Sequence, residues 1–335
     1  MKRLFLCFTL ASFVLAGCKK QNVSKLSTLV ESADSLVNSD TLYTTDELFI
    51  QNIDIKNGRI ALQNINSNIA FIFLDKDCNS IEDSIIVGSG PNDVVSGRFI
   101  KTFVNSDNNS FVICDGSVGK ILKVKSTPEI MVSPESNPGI IHLGEPAFGD
   151  SMFAGHKLES PYLFTISGIN GGDTDVDYYL TMSDEIKKEL SSYDMIMRHS
   201  IAVNPNKNRI LAFSFFFDAI AVYDTDGKLI RTNRNAYDVS EELGAIQNRG
   251  EYWSYCLPYA TDVACYVKVI KYVDNKNTEM YLNKYDWDGE FIKSYSFPKN
   301  AVGGYAIGGD SELYCIVSDI EGTNEYYHVV LCELK

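Results

Sequence analysis

Basic residues are scarce in this chain relative to acidic ones. Its 335 residues include 30 Lys and Arg against 44 Asp and Glu, a formal net charge of -14 at pH 7. A protein that binds a nucleic-acid backbone needs a clustered positive surface to neutralise the phosphates. The charge balance therefore predicts no nucleic-acid partner, and an anionic membrane surface would repel the chain in the same way.

Long hydrophobic runs are also scarce. The prominent apolar stretch, residues 4–15, is shorter than the roughly 20 residues of a membrane-spanning helix. Lys2 and Arg3 precede this stretch and small residues follow it, as in a secretory signal peptide. We therefore predict a cleaved export signal over residues 1–17.

The predicted signal ends at Leu15-Ala16-Gly17-Cys18, which resembles the lipobox of bacterial lipoproteins. In that motif small residues let the peptidase reach the bond, and the cysteine thiol receives a diacylglycerol before cleavage. The resemblance implies that Cys18 carries several acyl chains, palmitate among them, which together anchor a protein stably to a membrane. The alternative is a secreted protein that is cleaved after Ala16 or Gly17.

The residues after Cys18 bear on location. Lys19 and Lys20 stand where an inner-membrane retention signal would place Asp, which favours the outer membrane of a Gram-negative cell envelope. Residues 18–40 comprise the lipidated cysteine and a segment rich in Ser, Asn and Lys, typical of a flexible tether. The periplasmic and external faces of that membrane both stay open.

Motifs for metal or nucleophilic chemistry are missing from the sequence. The 4 His residues are far apart, and no C-x-x-C, H-E-x-x-H or G-x-S-x-G occurs. Residues 224–227 and 286–289 begin like calcium loops but lack the Glu at the twelfth position, so we interpret them as hairpin turns. We expect no metal, no cofactor and no catalytic set that sequence alone identifies.

Six of the 8 cysteines lie beyond the signal and Cys18. An even number suits disulfides in an oxidising compartment, and Cys256 and Cys265 would face each other if Ala260 and Thr261 closed a hairpin. We favour the other interpretation, in which the thiols are free and act as small buried hydrophobes, because a large β core needs no cross-links.

From Glu47 onward, short apolar or alternating runs are separated by turns rich in Asn, Asp and Gly, with little helical periodicity. This pattern is typical of an all-β fold. A unit of successive strands recurs, and its copies begin near residues 49, 99, 147, 200, 252 and 305. Six units of about 50 residues each match the blades of a propeller.

We therefore predict an all-β, six-bladed β-propeller over residues 41–335. The sixth unit ends without a fourth strand. The N-terminal segment at residues 41–45 is its natural donor, because pairing there would close the ring and cover the exposed edges.

The segment Val87-Gly88-Ser89-Gly90-Pro91-Asn92-Asp93 lies between the first two units. Together with the lipobox, the polar tether and six irregular blades, this G-x-G-P turn resembles the TolB-like six-bladed β-propeller lipoproteins of Bacteroidetes. The resemblance covers nearly the whole mature chain. It implies a fold and a place in the cell envelope, but no substrate and no catalytic residues.

Propeller sites usually lie where the innermost strands begin, since all blades converge there. The residues predicted at this channel mouth are Arg98, Arg198, His199, Glu251, Trp253 and Tyr305. Guanidinium groups, an acid and aromatic rings suit a carboxylated or sugar ligand. The alternative is that these residues cap strands and pack between blades.

Two classes of function remain open at this point. The first is a non-catalytic binding or scaffold protein that presents its loops to a glycan, a peptide or another envelope protein. The second is a propeller enzyme, a metal-dependent hydrolase, lactonase or lyase with its active site in the channel. Converging carboxylates would favour the enzyme, and an aromatic floor would favour binding.

Overall fold

The computed structural model describes residues 30, 32–65, 67–105, 109–125, 131–136, 143–149, 152–157, 160, 162–168, 172–180, 197–233, 243, 251–274, 276–298, 300–321 and 324–335. The predicted signal peptide, Cys18 and the first part of the predicted tether lie outside these residues. Among the helices within them, none has the length and hydropathy that crossing a membrane requires.

The described chain is built almost entirely of β-strands. Two N-terminal strands come first, β1 (Asp34–Ser35) and β2 (Val37–Thr45). Blade 1 contains β3 (Phe49–Lys56), β4 (Arg59–Ile65), β5 (Ile69–Leu74) and β6 (Ile81–Ile86). Blade 2 contains β7 (Gly97–Phe99), β8 (Ser110–Asp115), β9 (Lys120–Lys125) and β10 (Met131–Ser136). Blade 3 contains β11 (Leu143–Phe148), β12 (Met152–Lys157), β13 (Phe164–Gly168) and β14 (Asp173–Val176).

The second half of the chain continues the same pattern. Blade 4 contains β15 (His199–Asn204), β16 (Arg209–Ser214), β17 (Ile220–Tyr223) and β18 (Leu229–Thr232). Blade 5 contains β19 (Tyr252–Ala260), β20 (Cys265–Val273), β21 (Lys276–Tyr285) and β22 (Phe291–Ser296). Blade 6 contains β23 (Ala301–Gly308), β24 (Glu312–Glu321) and β25 (Asn324–Glu333), with β2 as its fourth strand. Neighbouring strands within each blade are antiparallel.

The N-terminal strand closes the ring. β2 pairs with β25 from Val37 opposite Glu333 to Thr45 opposite Tyr327. The predicted six-bladed propeller with this closure is therefore confirmed. The first four residues of β2 fall in the segment that the sequence assigned to the tether, and β1 lies parallel to β22 in blade 5 before β2 begins.

Aromatic rings fill the wedges between neighbouring blades. Between blades 1 and 2, the rings of Phe71 and Phe99 are 4.9 Å apart, and Phe111 lies 6.4 Å from Phe99. Between blades 4 and 5, Phe213 contacts both Tyr255 and Tyr285, at 5.9 and 5.6 Å. Large rings suit this position because the gap between blades widens away from the axis, and each buried ring removes much apolar surface from water.

The loops that resembled calcium sites are hairpin turns. Asp224 Oδ1 accepts from the backbone nitrogens of Asp226 and Lys228, so the carboxylate closes its own turn. Asp286 does the same with Asp288 and Glu290. This side-chain-to-backbone pattern explains the Asp-x-Asp-Gly sequence without a metal.

The cysteines are spread over the blades. The six within the described chain form no disulfide, and five of them are buried. Cys256 lies opposite Lys268, and Cys265 lies opposite Ala260. The chain turns at residues 261–264 rather than at Ala260 and Thr261, which places Ala260 opposite Cys265, so Cys256 and Cys265 do not face each other.

Candidate functional site

The inner strand of each blade starts at one face of the ring and ends at the other, here called the start face and the end face. Between the two faces, the chain that follows β7 crosses the axis. Ala260 in blade 5 donates its backbone nitrogen to Lys101 O at 2.8 Å. In blade 4, the backbone of Val203 bonds to Thr102 O and to the nitrogen of Val104, at 2.8 and 2.9 Å. Blade 2 is therefore tied to blades 4 and 5 across the centre.

The side chain of Lys101 is buried and bonds to the inner strands of blades 1 and 6. Its Nζ donates to Asn52 Oδ1 at 2.7 Å, to Ile53 O at 3.1 Å and to Tyr305 O at 2.6 Å. Burial lowers the pKa of Lys101 to about 7, and the nearby Asp54 carboxylate opposes that shift. Because an ammonium group has three donors and meets three acceptors here, the contacts match its charged form.

Two glycines allow this close approach. A Cβ at Gly303, where φ is +60°, would lie 2.1 Å from Gln51 O, and a Cβ at Gly304 would lie 1.8 Å from Asn52 Oδ1. Only glycine lets the inner strand of blade 6 pack this tightly on blade 1. Lys101 and its bonding partners therefore occupy the axis at this level, and the two cavities described below lie at the two faces.

Two of the predicted site residues, Tyr305 and His199, are buried. Tyr305 is 1% exposed, and its hydroxyl donates to Tyr266 O at 3.0 Å. His199 Nδ1 lies 2.7 Å from Met197 O, so Nδ1 carries the proton, and Nε2 accepts from the Tyr179 hydroxyl at 3.1 Å. Burial lowers the pKa of His199 to about 4, which leaves the imidazole neutral at pH 7.

The two predicted arginines lie apart from one another on blades 2 and 4. Arg98 is an exposed residue of β7 opposite Cys114. Arg198 immediately precedes β15, and its Nε is buried with no hydrogen-bond partner. Neither guanidinium forms an ion pair with a residue that the structure describes.

Glu251 and Trp253, in contrast, belong to one group of side chains on blade 5. Lys271 lies between them, with its Nζ 3.4 Å from Glu251 Oε2 and 5.4 Å from the centre of the Trp253 ring. Lys271 Nζ also lies 3.9 Å from Glu279 Oε1, and the Tyr281 ring is 6.1 Å from that of Trp253. We call these five residues the blade 5 cluster.

The cluster borders a cavity at the start face. This start-face cavity has a volume of about 460 Å³ and is lined by Glu279 and Tyr281 on one side and by Phe297, Pro298 and Asn300 on the other. The Tyr281 hydroxyl donates to Glu279 Oε2. Burial, followed by this bond, raises the pKa of Tyr281 to about 12, so the hydroxyl stays protonated at neutral pH.

Lys271, Glu279 and Tyr281 were not predicted from the sequence. Register explains how they join the cluster, because Trp253 lies opposite Lys271, and Lys271 lies opposite Glu279. These residues form no sequence motif, because they lie on different strands and meet only when those strands pair.

A second cavity lies at the end face, between blades 1, 5 and 6. This end-face cavity has a volume of about 470 Å³ and includes Lys56, Tyr259, Asp262, Asp310 and Glu312 in its lining. The predicted site residues do not line it. Over the described ranges, no three His, Cys, Asp or Glu side chains are grouped so that they could hold a metal ion.

Comparison with known proteins supports the fold. The sequence matches no known protein family and no curated protein. In structure, the chain is similar to a member of the DUF4221 family from Bacteroides vulgatus, with a TM-score of 0.53 and 14% identity over 89% of this chain and 98% of that one.

Two further structures show weaker similarity. One is a streptogramin B lyase, with a TM-score of 0.46 and 12% identity over 88% of this chain and 97% of that one. The other is the Cps50 (Swd1) β-propeller domain of Myceliophthora thermophila, with a TM-score of 0.46 and 8% identity over 87% of this chain and 99% of that one. These similarities concern the fold alone.

Proposed function

We propose that this chain is a non-catalytic binding protein of the bacterial cell envelope that takes a glycan in its start-face cavity. The blade 5 cluster is the observation that carries the proposal. It places two partly exposed aromatic side chains, Trp253 and Tyr281, beside a cavity with carboxylate and amide groups. Sugar rings present apolar faces that pack on aromatic rings and hydroxyls that bond to carboxylates and amides.

The arrangement of charge also supports binding over catalysis. Lys271 is shared between Glu251 and Glu279, so the acids and the base of the cluster are already paired. The Tyr281 hydroxyl stays protonated at neutral pH and donates its one proton to Glu279, so it offers acceptor lone pairs to a ligand. Lys271, Glu279 and Tyr281 offer hydrogen bonds in fixed directions, because they stand on two adjacent strands of one sheet. Rigid elements hold a site more accurately than loops do.

Attachment to the membrane through a lipid on Cys18 completes the proposal. The lipobox resemblance supports it, as does the position of the first described strands. Asp34 in β1 forms an ion pair with Lys293 of blade 5 at 2.6 Å, so an anchored chain would enter the fold beside the blade that carries the cluster. A tether there suits a protein that presents one face to the envelope, in the manner of the TolB-like lipoproteins that the sequence resembles.

Binding of envelope glycans to the purified protein, measured by calorimetry, tests the proposal. We expect Glu279→Gln and Trp253→Ala each to weaken binding about tenfold or more, because a lost hydrogen bond or ring contact costs about 1.4 kcal/mol or more. Glu47→Gln serves as the control, because it removes one negative charge, as Glu279→Gln does, from an exposed side chain that does not line the cavity. Equal affinities for all four proteins, or no glycan binding by wild type, would overturn the proposal.

A further inference from the structure

Arg198 carries a guanidinium group that no acid balances within the described chain. Its Nε is buried with no hydrogen-bond partner, whereas its two terminal nitrogens are not buried and can donate to a ligand. Arg59, Arg209 and Arg231 differ, because each of them forms an ion pair with a carboxylate. The acidic excess of this chain makes a guanidinium without such a partner a feature that calls for a reason.

Backbone pairing shows which way Arg198 faces. The ladder between β15 and β16 continues one residue beyond β15, because the Phe215 nitrogen donates to Arg198 O at 3.0 Å. Side chains alternate along a strand, so Arg198 lies on the same sheet face as Ala202. Ala202 belongs to an apolar cluster shared by blades 4 and 5, and β15 packs against β19. Arg198 therefore faces blade 5 at the start face.

The blade 5 cluster faces Arg198 from the other side of this wedge. Trp253 and Tyr281 pack against the same apolar cluster as Ala202, so both side chains are directed toward blade 4. Trp253 is the second residue of β19 and Arg198 immediately precedes β15, so both lie where an inner strand begins. The guanidinium and the blade 5 cluster thus border the start-face end of one wedge.

Partly exposed aromatic rings lie at the same end of the wedge. Phe216 follows the residue that pairs with Arg198, and its ring lies 6.1 Å from that of Tyr252. The rings of Tyr252 and Tyr272 stack at 4.9 Å with 9° between their planes. All three rings keep part of their surface in contact with solvent. They offer apolar faces to a ring-shaped ligand next to the guanidinium.

The acids that the two blades place at this end already have partners. Glu251 Oε2 lies 3.4 Å from Lys271 Nζ. Asp218 Oδ1, in the loop after β16, accepts from the Tyr255 hydroxyl at 2.8 Å. Neither carboxylate bonds to Arg198, so its terminal donors stay open to an anion from solution.

We propose that Arg198 binds the anionic group of an acidic sugar, a carboxylate or a sulfate. The inference rests on the proposed glycan binding and narrows it to acidic glycans. A guanidinium presents parallel N–H donors that match two oxygens of such a group, and these charge-assisted bonds are strong and directional. The sugar ring packs on the neighbouring aromatic rings, and the rest of the glycan extends past Trp253 and Tyr281 to the start-face cavity.

Calorimetric titration of the purified full-length protein with two pairs of saccharides tests this subsite. The first pair is 3′-sialyllactose and its methyl ester, which lacks the charged carboxylate. The second pair is 3′-sulfolactose and lactose, which lacks the sulfate. Arg198→Gln removes the charge, and Arg198→Lys keeps the charge but not the planar fork. Arg98→Gln is the matched control, because it removes the same charge from an exposed arginine of blade 2.

We expect wild type and Arg98→Gln to bind the charged member of a pair about tenfold or more tightly than the neutral one. Arg198→Gln is expected to bind both members equally, and Arg198→Lys to keep only part of the preference. A preference within the first pair assigns a carboxylate, and one within the second pair assigns a sulfate.

Three results would count against the subsite. Equal affinities within both pairs for wild type would overturn it and leave the proposed glycan binding in place. No saccharide binding by a wild type that unfolds cooperatively would overturn both. Loss of the preference in Arg98→Gln as well as in Arg198→Gln would show a general effect of positive charge and overturn the assignment to Arg198.

Discussion

Lys101 of blade 2 donates from Nζ to the backbone carbonyl of Tyr305 in blade 6, 2.6 Å away and 204 residues later in the chain. The same ammonium group bonds to Asn52 and Ile53 of blade 1. One side chain therefore connects three blades at the axis, and its backbone carbonyl connects a fourth.

Replacement of Lys101 by Met tests this connection. Met keeps the length of the side chain but removes the donor of three buried hydrogen bonds, and Asn52 Oδ1 keeps only its bond from the Ile53 nitrogen. We therefore expect a loss of about 3–5 kcal/mol in the free energy of unfolding. Denaturant unfolding followed by circular dichroism measures it. Lys228→Met, at an exposed turn, is the control and is expected to change little. A Lys101→Met protein as stable as wild type would mean that the axial contacts do not hold the ring.

Two glycine-to-alanine substitutions, one as the test and one as the control, probe the tight approach of blades 6 and 1. Gly304→Ala would place a Cβ 1.8 Å from Asn52 Oδ1 and 3.2 Å from Lys101 Nζ, whereas a Cβ at Gly116 meets nothing within 4 Å. We expect Gly304→Ala to lower the free energy of unfolding by about 1–3 kcal/mol, because the inner strand must shift. Gly116→Ala is expected to have a small effect. Similar melting temperatures for the two variants would contradict the packing described here.

Protonation of His199 predicts acid sensitivity. The pKa of this buried imidazole falls from 6.5 to about 4 in the folded state, so the unfolded chain takes up its proton first as pH falls. The neutral His199 therefore adds fully to the free energy of unfolding above pH 6.5. This stabilisation is lost progressively as the pH falls to 4, and the loss is about 3 kcal/mol.

Unfolding free energies of wild type and His199→Gln from pH 4 to 8 measure this effect. The difference between the two proteins is expected to shrink as the pH falls, because glutamine does not titrate. His328→Gln, on strand β25 between β2 and β24 of blade 6, serves as a control for the loss of a histidine as such. A constant difference between wild type and His199→Gln across this range would show that His199 is not held neutral.

Cys18→Ala tests the proposed anchor. The variant lacks the thiol that would receive the lipid, so we expect it to leave the membrane fraction for the soluble fraction after cell disruption. Cys78→Ala is the control, because this buried cysteine lies within blade 1. Continued membrane association of Cys18→Ala would exclude a lipid on that residue.

The fold was predictable because each blade repeats a pattern of apolar runs and polar turns. The starts of the blades were less accurate in two places. The third and sixth units, expected to begin near residues 147 and 305, begin with β11 at Leu143 and with β23 at Ala301.

The site was less predictable, for a physical reason. Sequence position indicates which residues begin an inner strand, but it does not give the register between strands. Glu251 and Trp253 meet Lys271 because three strands of blade 5 align there, while His199 and Tyr305 turn inward and are buried. Which side chains converge depends on how the strands pair and where bulges shift their register. A single sequence does not specify either.

The position of β1 and β2 has a mechanical consequence. A pull on the N-terminus would act first on the short parallel contact of β1 with blade 5, and then along the length of β2, whose bonds to β25 in blade 6 would be loaded together in shear. Parallel loading of many hydrogen bonds resists force better than opening them one at a time. The β2–β25 pairing that closes the ring is therefore placed where tension from the N-terminal segment arrives. Blade 5, through β1, and blade 6, through β2, share the load.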